Sequence, residues 1–473
     1  MAEKRVVKKA HLDNRDTPLK NVWTPNSSGK RTDSHIYDLK KRKLYLLSEK
    51  TNLADIISNM VNESDDVICV SSFLIEDSSF TDSLLEAADR GVRIYLLTAK
   101  EDELEKDDTE FDDESKKKEI IRSHKNLLDK ISGKILVRTS PDFHSKFVLF
   151  DPRSKNARGI LTTSNLTKDA MSGRNLEMAV ELIPGEIGTF FTQFIRGFWN
   201  EAKHEKIGRE PVLKPVRDRV WDVDTKSMTH PCTCSSVRSL KEEVLRLIGS
   251  SKKDLFVSAW TFEKGHASTE AIKKASERGV KVRILSRDDP KSTGNIVHLS
   301  QSGAEVCSFE RRVHTKFIVS DTEALIMTSN LSSMGLDSGF ESGILLDQKE
   351  SELFRKVVEN LFENHSKRFR REARLGDLNE TEHLRFDPLK TEHTKFTPKN
   401  KEIVDLGEKR VKIDEIEKYD PKGDLIKALA GRTVKEAEGT ITLVAEVPEE
   451  KKEEDKKESV KGEKKESGSK KKR

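Results

Sequence analysis

The stretch FHSKFVLFD, from Phe143 to Asp151, returns later in the chain as VHTKFIVSD, from Val313 to Asp321. Both copies read His-x-Lys-x(4)-Asp and both lie in an apolar run. Each is followed by Thr-Ser-Asn, in TTSN ending at Asn165 and in MTSN ending at Asn330. A single His-x-Lys means little. HTKF recurs at 393–396, but there Asn400 stands seven positions after His393 and no Thr-Ser-Asn follows. Two copies that share spacing, apolar context and sequel point to a duplicated unit with its chemistry in these two stretches.

Working outward, each copy ends a similar series of elements. In the first half NLADIISNMVNES has helical spacing, DVICVSSFLI reads as a buried strand, DSLLEAADRG as a helix closed by Gly91, and GVRIYLLTA as a second strand. In the second half SLKEEVLRLIGSSKKD, LFVSAWTF, STEAIKKASERG and GVKVRILS follow in the same order. Strand, helix, strand is the pattern of a parallel βαβ unit. RGVRIYLL at 90–97 and RGVKVRIL at 278–285 are 188 residues apart, the histidines His144 and His314 are 170 apart, and the acidic Glu177 and Glu341 are 164 apart. The spacing shrinks along the repeat, which places insertions in the first copy at 101–119 and 152–159, a charged surface loop and a lengthened hairpin. Phe190, Phe194 and Phe198 recur at helical spacing, as do Phe354, Val358 and Phe362, giving one apolar stripe per copy for core packing.

Length and composition bound the remainder. The 473 residues allow roughly two to three domains. Hydrophobic residues are 34% and charged residues 36%, so a core is feasible but much of the chain is solvated. Residues 1–43 read as a polar basic arm, 44–205 and 235–372 as two lobes, and 206–234 as a linker. Residues 373–448 read as a small appended region with one helical run (GDLIKALAG) and one strand-like run (GTITLVAEV), and 449–473 as a disordered Lys/Glu tail. The linker holds His230, Cys232 and Cys234, but further ligands at conventional zinc spacing are not evident, so no metal site is expected. No run reaches the length of a membrane span and the N-terminus has no secretory h-region. With Cys69 and Cys307 in apolar, strand-like runs, the expected compartment is the reducing cytoplasm.

If FHSKFVLF is a strand, alternation turns His144 and Lys146 to one face and Asp151 to the other face or the turn; the same parity holds for His314, Lys316 and Asp321. Each motif then offers an imidazole beside an ammonium, and its Asp is better placed for structural hydrogen bonds. A hairpin returns Asn165 and Asn330 beside their own His and Lys, where amide donors suit phosphate oxygens. Glu177 and Glu341 are candidates to accept from a histidine ring nitrogen and fix its tautomer. Two histidines on opposite sides of one phosphodiester can act in turn, one attacking phosphorus and the other protonating the leaving oxygen, with two Lys and two Asn stabilising charge and no metal required.

These residues resemble the signature of the phospholipase D superfamily, His-x-Lys-x(4)-Asp followed by Gly-Ser-x-Asn, over both halves of the chain. The resemblance implies two tandem α/β/α lobes forming a pseudo-twofold body, with a polar C-terminal extension and a single site at the interface. It implies His144, Lys146, Asn165 and Glu177 from one lobe and His314, Lys316, Asn330 and Glu341 from the other. The sequence departs from the signature at Gly-Ser, which is Thr162-Thr163 in one copy and Met327-Thr328 in the other. Thr163 and Thr328 still supply hydroxyls and are read as phosphate-binding. The expected protein is a phosphodiesterase working as a monomer, without cofactor, through a phosphohistidine. Nucleic acid is the favoured substrate, because of the basic runs RRVHTK (311–316) and KRFRREAR (367–374). Phospholipid head groups are the alternative, although no amphipathic membrane helix is evident. A non-catalytic binding module is a third reading.

Overall fold

The computed structural model describes residues 10–12, 18–26, 35–99, 104, 114–206, 214–215, 230–234, 237–288, 290–374 and 443–445. It divides into two compact units, one of Trp23–Arg371 and one of Met1–Val22 with Glu372–Arg473. In the second unit, Ala10–Leu12 pairs antiparallel with Leu443–Ala445, within the run read above as a strand. The proposed helix GDLIKALAG, the Lys/Glu tail and most of the 101–119 insertion lie outside the described residues.

Trp23–Arg371 contains the duplication. The first lobe runs α1 (Leu53–Asn62), β1 (Val67–Ser71), α2 (Ser78–Asp89), β2 (Arg93–Ala99), α3 (Glu114–Ile131), β3 (Leu136–Ser140), β4 (Phe147–Phe150), β5 (Arg158–Thr162), β6 (Met178–Glu181) and α4 (Pro184–Ile195). The second repeats it as α5 (Ser239–Ser250), β7 (Asp254–Ser258), α6 (Ala267–Glu277), β8 (Lys281–Leu285), α7 (Pro290–Gln301), β9 (Glu305–Ser308), β10 (Phe317–Val319), β11 (Ala324–Met327), β12 (Glu341–Leu346) and α8 (Gln348–Glu363). Local chemistry sets several boundaries. Asn52, Asp77 and Asp347 cap α1, α2 and α8 through their side chains. Gly91 and Gly279, at φ of 95° and 88°, end the turns after α2 and α6 in the left-handed region that glycine tolerates.

Each lobe has a mixed sheet, with strand order β3-β2-β1-β4-β5-β6 in one and β9-β8-β7-β10-β11-β12 in the other. The first three strands are parallel and the rest antiparallel. Alternation along β1 shows how the layers form. Ile68 and Val70 pack in a cluster with α1, α2 and α3, while Cys69 faces a cluster with α4. In the second lobe, Leu255 and Val257 face α5, α6 and α7, while Phe256 faces α8. The inner clusters are continuous: Phe190, Phe194 and Phe198 of the first lobe share one core with Phe354, Val358 and Phe362 of the second. Both stripes therefore belong to a core shared by the lobes, and Phe143 stacks on Phe340 across them with centroids 5.2 Å apart. Among the described residues, no helix is long and apolar enough to cross a membrane.

The flanking segments are more ordered than composition suggests. His35–Asp38, inside the stretch read as a polar arm, pairs with Lys43–Leu46, which in turn pairs with β6. Trp23 packs on Phe369, with ring centroids 5.3 Å apart, and the Thr24 hydroxyl donates to the Arg368 carbonyl. Cys232–Thr233, inside the stretch read as linker, pairs with β12. These short segments find partners on sheet edges, where unpaired backbone groups are otherwise left open.

Arg42 is the side chain from these flanks that matters most. It is buried, and its guanidinium bridges two carboxylates on different lobes. Nη1 and Nη2 donate to Glu186 at 2.7 Å each, and Nε donates to Glu350 at 2.7 Å. Glu186 and Glu350 occupy equivalent places in the repeat, in the first turns of α4 and α8. One cation for two carboxylates leaves a net negative charge, which the two helix N-termini help to stabilise. Removing one member of such a buried group leaves uncompensated charge. Arg42→Met is accordingly expected to lower unfolding free energy in urea by about 3–5 kcal/mol. Arg42→Lys, which cannot form the planar fork, should recover only part of that loss. A shift under about 1 kcal/mol for Arg42→Met, well below the usual cost of stranding a buried charge, would contradict the interlobe role.

Candidate active site

The two His-x-Lys motifs do not sit within strands. β4 begins at Phe147 and β10 at Phe317, so His144 to Lys146 and His314 to Lys316 lie in irregular segments just before them. The strand-parity expectation is corrected here, and the reason is that the backbone N–H of each histidine bonds to the opposite lobe rather than to a sheet neighbour. The His144 N–H donates to the Phe340 carbonyl at 3.1 Å, and the His314 N–H donates to the Leu176 carbonyl at 3.1 Å. Asn175–Leu176 also pairs in parallel with Arg312–Val313.

This backbone bridge decides which glutamate meets which histidine. Leu176 and Phe340 each immediately precede a glutamate, so anchoring the histidine to that carbonyl brings the next side chain beside its ring. His144 Nδ1 lies 2.8 Å from Glu341 Oε1, and His314 Nδ1 lies 2.5 Å from Glu177 Oε1. Each histidine therefore takes its carboxylate from the other lobe. Both glutamates are buried. A carboxylate on Nδ1 assigns the proton to that nitrogen in the neutral ring and makes Nε2 the acceptor. Burial alone would raise the Glu341 pKa. The charge of His144 and its hydrogen bond, the charge of Lys146, and the Thr328 hydroxyl together hold it below the ordinary carboxylate value.

Thr163 and Thr328 were read as phosphate-binding residues; the structure places their hydroxyls on the two glutamates. The Thr163 hydroxyl donates to Glu177 Oε2 at 2.5 Å, and the Thr328 hydroxyl donates to Glu341 Oε2. Each hydroxyl also accepts a backbone N–H, from Met178 at 3.0 Å and from Ser342 at 3.1 Å. A hydroxyl has one proton, and here it goes to the carboxylate. Thr163 and Thr328 stand where the signature has Ser, so the hydroxyl that gives each glutamate a second donor is kept.

Lys146 and Lys316 are fully buried. Lys146 Nζ donates to the His144 carbonyl at 2.7 Å, and Lys316 Nζ donates to the His314 carbonyl at 2.9 Å while lying 3.1 Å from His314 Nε2. The hairpins β4–β5 and β10–β11 form as expected: the Thr162 N–H donates to the Lys146 carbonyl and the Met327 N–H to the Lys316 carbonyl. Asn165 and Asn330 follow three residues after these anchors, and Asn165 is buried.

The aspartates serve the backbone. Asp151 accepts the N–H groups of Asp65, Asp66 and Val67, and Asp321 those of Lys252, Lys253 and Asp254, so each fastens the end of its motif strand to the start of β1 or β7. One feature escaped the sequence reading. Phe73 packs against His144 with centroids 5.1 Å apart, and Trp260 packs edge-on against His314 at 4.8 Å. Both stand two residues beyond a serine that ends β1 or β7, Ser71 and Ser258, so the signal lay in aligning those two strands.

Fold and site together define a duplicated α/β protein whose two His–Lys–Glu sets form one composite centre. A family model described as "cardiolipin synthase, PLD-like domain" matches residues 57–200 and 244–365, more than half of the chain. The protein belongs to the phospholipase D superfamily, and its class is that of phosphodiesterases and phosphatidyl or phosphoryl transferases. Among solved structures, phosphatidylserine synthase of Haemophilus influenzae Rd KW20 is similar at 10% identity and a TM-score of 0.50, over 72% of this chain and 89% of that one. Polyphosphate kinase of Porphyromonas gingivalis is similar at 12% identity and a TM-score of 0.41, over 65% and 44%. Nuc of Salmonella typhimurium, a phospholipase D family member, is similar at 17% identity and a TM-score of 0.26, over 29% and 97%. No curated protein sequence matches the chain.

The crossed pairing can be measured without a substrate. In double-mutant cycles read by urea unfolding, His144→Ala with Glu341→Ala and His314→Ala with Glu177→Ala should couple by about 1–3 kcal/mol. The within-lobe pairs, His144 with Glu177 and His314 with Glu341, should be additive to within about 0.5 kcal/mol. Stronger coupling within lobes than between them would rule out the exchange.

Proposed function

We propose that the protein cleaves nucleic-acid phosphodiesters through a covalent phosphohistidine, with no metal ion in the reaction. The observation that carries this reading is the pair of imidazoles, each anchored at Nδ1 by a glutamate of the opposite lobe, with a buried lysine bonded to the backbone carbonyl of each histidine. Two lysines and two glutamates balance in charge. Protonating one histidine at Nε2 gives the centre one net positive charge, the complement of a phosphodiester monoanion.

The neutral histidine uses its Nε2 lone pair to form a bond to phosphorus. The bond from phosphorus to the leaving oxygen breaks, and that oxygen takes the Nε2 proton of the second histidine. The second histidine, now neutral, accepts a proton from water or an alcohol as that oxygen attacks phosphorus, and the P–N bond breaks. Glu177 and Glu341 hold each ring in orientation and stabilise it when it is charged. Lys146, Lys316, Asn165 and Asn330 are assigned to the non-bridging oxygens, where fixed donors in a water-poor site stabilise developing charge. These groups supply the nucleophile, the acid and the charge stabilisation that a metal otherwise provides.

Nucleic acid is favoured by the basic surface of the second lobe, where Arg368, Arg370 and Arg371 are exposed and Arg311 and Arg312 directly precede the His314 motif. Phosphatidyl transfer uses the same chemistry, and the description of the matching family model makes it the competing reading.

The test is incubation of the full chain with labelled single- and double-stranded DNA, RNA and phosphatidylglycerol vesicles, with EDTA present throughout. Nucleic acid should be cut, and His144→Ala and His314→Ala should each lower the rate at least a thousandfold, as removing a nucleophile or its proton partner does. Single-turnover quenching should trap an acid-labile phosphoenzyme in one of the two variants at most. Turnover of lipid alone overturns the substrate assignment, and loss of all activity in EDTA overturns the metal-free chemistry.

A further inference from the structure

The residues that carry the proposed chemistry are alike in the two lobes; three positions around them are not. β1 and β7 align at Ser71 and Ser258, since Ser71 pairs with Leu97 of β2 and Ser258 with Leu285 of β8. Phe73 then corresponds to Trp260, and Ala99 to Arg287. The histidines align Asp142 with Arg312. The second lobe thus has two arginines where the first has an alanine and an aspartate, a difference of three formal charges beside one otherwise symmetric centre.

The arginines are organised around the ring that touches His314. The Arg287 guanidinium carbon lies 3.8 Å from the Trp260 ring centroid and that of Arg312 lies 4.1 Å from it. Indole is the strongest cation–π partner among side chains, and the stack holds two like charges close together beside the site. The two arginines differ in access. Arg287 is 3% exposed and donates to Ser292, so it acts through its field. Arg312 is half-buried and so is the more exposed of the two. Neighbouring Arg311 is committed elsewhere, donating through Nη1 to the carbonyls of Leu47 and Gly173 on the first lobe at 2.6 and 2.9 Å.

We propose that the Arg287–Trp260–Arg312 stack is a binding subsite for a second phosphate of the substrate, the one next to the phosphodiester being cleaved, and that it lies on the second-lobe side only. This deepens the nucleic-acid reading and rests on it. A polynucleotide carries a phosphate on each nucleotide and can fill the subsite while its neighbour occupies the histidine centre. On the first-lobe side, Asp142 is exposed and disfavours an anion, so the polyanionic strand enters from one direction.

The experiment compares a single-stranded oligonucleotide with bis(4-nitrophenyl) phosphate, a phosphodiester without a neighbouring phosphate, using wild type, Arg312→Ser and Arg287→Gln. The reported quantity is the ratio of the two kcat/KM values. It should fall roughly tenfold or more in Arg312→Ser, in keeping with loss of one charge-assisted contact. The slope of log KM against log salt for the oligonucleotide should become shallower by roughly 0.7, one phosphate contact on a single strand. A variant that merely distorts the centre lowers both substrates together, and an unchanged ratio with an unchanged salt slope in both variants overturns the subsite. Phosphatidylglycerol vesicles form a further arm: if their turnover depends on Arg312 as strongly as the oligonucleotide's, the ligand is a lipid phosphate and the polynucleotide assignment is wrong. Wild type that binds the oligonucleotide with the predicted salt dependence but turns over neither diester refutes the chemistry and leaves the subsite standing.

Discussion

Each histidine of the centre depends on a carboxylate supplied by the other lobe. His144 meets Glu341 and His314 meets Glu177, at 2.8 and 2.5 Å. A single lobe would leave its imidazole without a fixed tautomer, and the second lobe alone would leave Glu341 without the His144 and Lys146 charges that hold its pKa down. Bringing the lobes together therefore does more than place two histidines side by side. It completes each of them. The backbone bonds from His144 to Phe340 and from His314 to Leu176 make the exchange a consequence of chain geometry, because the glutamate is the next residue after the bonded carbonyl.

The same strand–helix units are held together at their far ends. Glu341 opens β12, and α8, which follows, carries Glu350; Glu177 precedes β6, and α4 carries Glu186. Glu350 and Glu186 meet on Arg42. Each β–α unit is thus pinned to the opposite lobe at the histidine and to a shared guanidinium nine residues later. Between these points lies the continuous apolar core of Phe190, Phe194, Phe354 and Phe362. Burial supplies the non-directional part of the association, and the polar groups fix the register.

Much of this was legible in the sequence, for stated reasons. Duplicated motifs at decreasing offsets revealed two lobes and their insertions, because sheet order and side-chain spacing are conserved when a unit is copied. The structural role of Asp151 and Asp321 was read from their odd spacing from the His and Lys of each motif, which turns them to the other face or into the turn. Other features were hidden because they depend on contacts distant in sequence. Local periodicity could not reveal that Glu177 serves His314, since the pair is separated by more than a hundred residues. Nor could it show that Thr163 and Thr328 hydrogen-bond to glutamates, or that His144 precedes its strand instead of lying in it. Arg42 has no counterpart in the other lobe, so a search for repeats passes over it, and it stands in a stretch whose composition resembles an unstructured arm.

Symmetry also limits what the duplicated residues can specify. Two equivalent half-sites bind one phosphodiester in either of two opposite orientations with equal energy, since exchanging the lobes exchanges nucleophile and acid. A reaction with a defined leaving group requires a difference between the halves, and that difference has to come from outside the repeated His, Lys, Asn and Glu. Phe73 against Trp260, Ala99 against Arg287 and Asp142 against Arg312 are differences of this kind, and all three lie within one or two side chains of a histidine. In a site of low effective dielectric, an imbalance of charge at that range outweighs small differences in packing. Under the proposed chemistry, the orientation of the substrate, and with it the division of labour between His144 and His314, would accordingly be governed by the residues in which the two lobes have diverged.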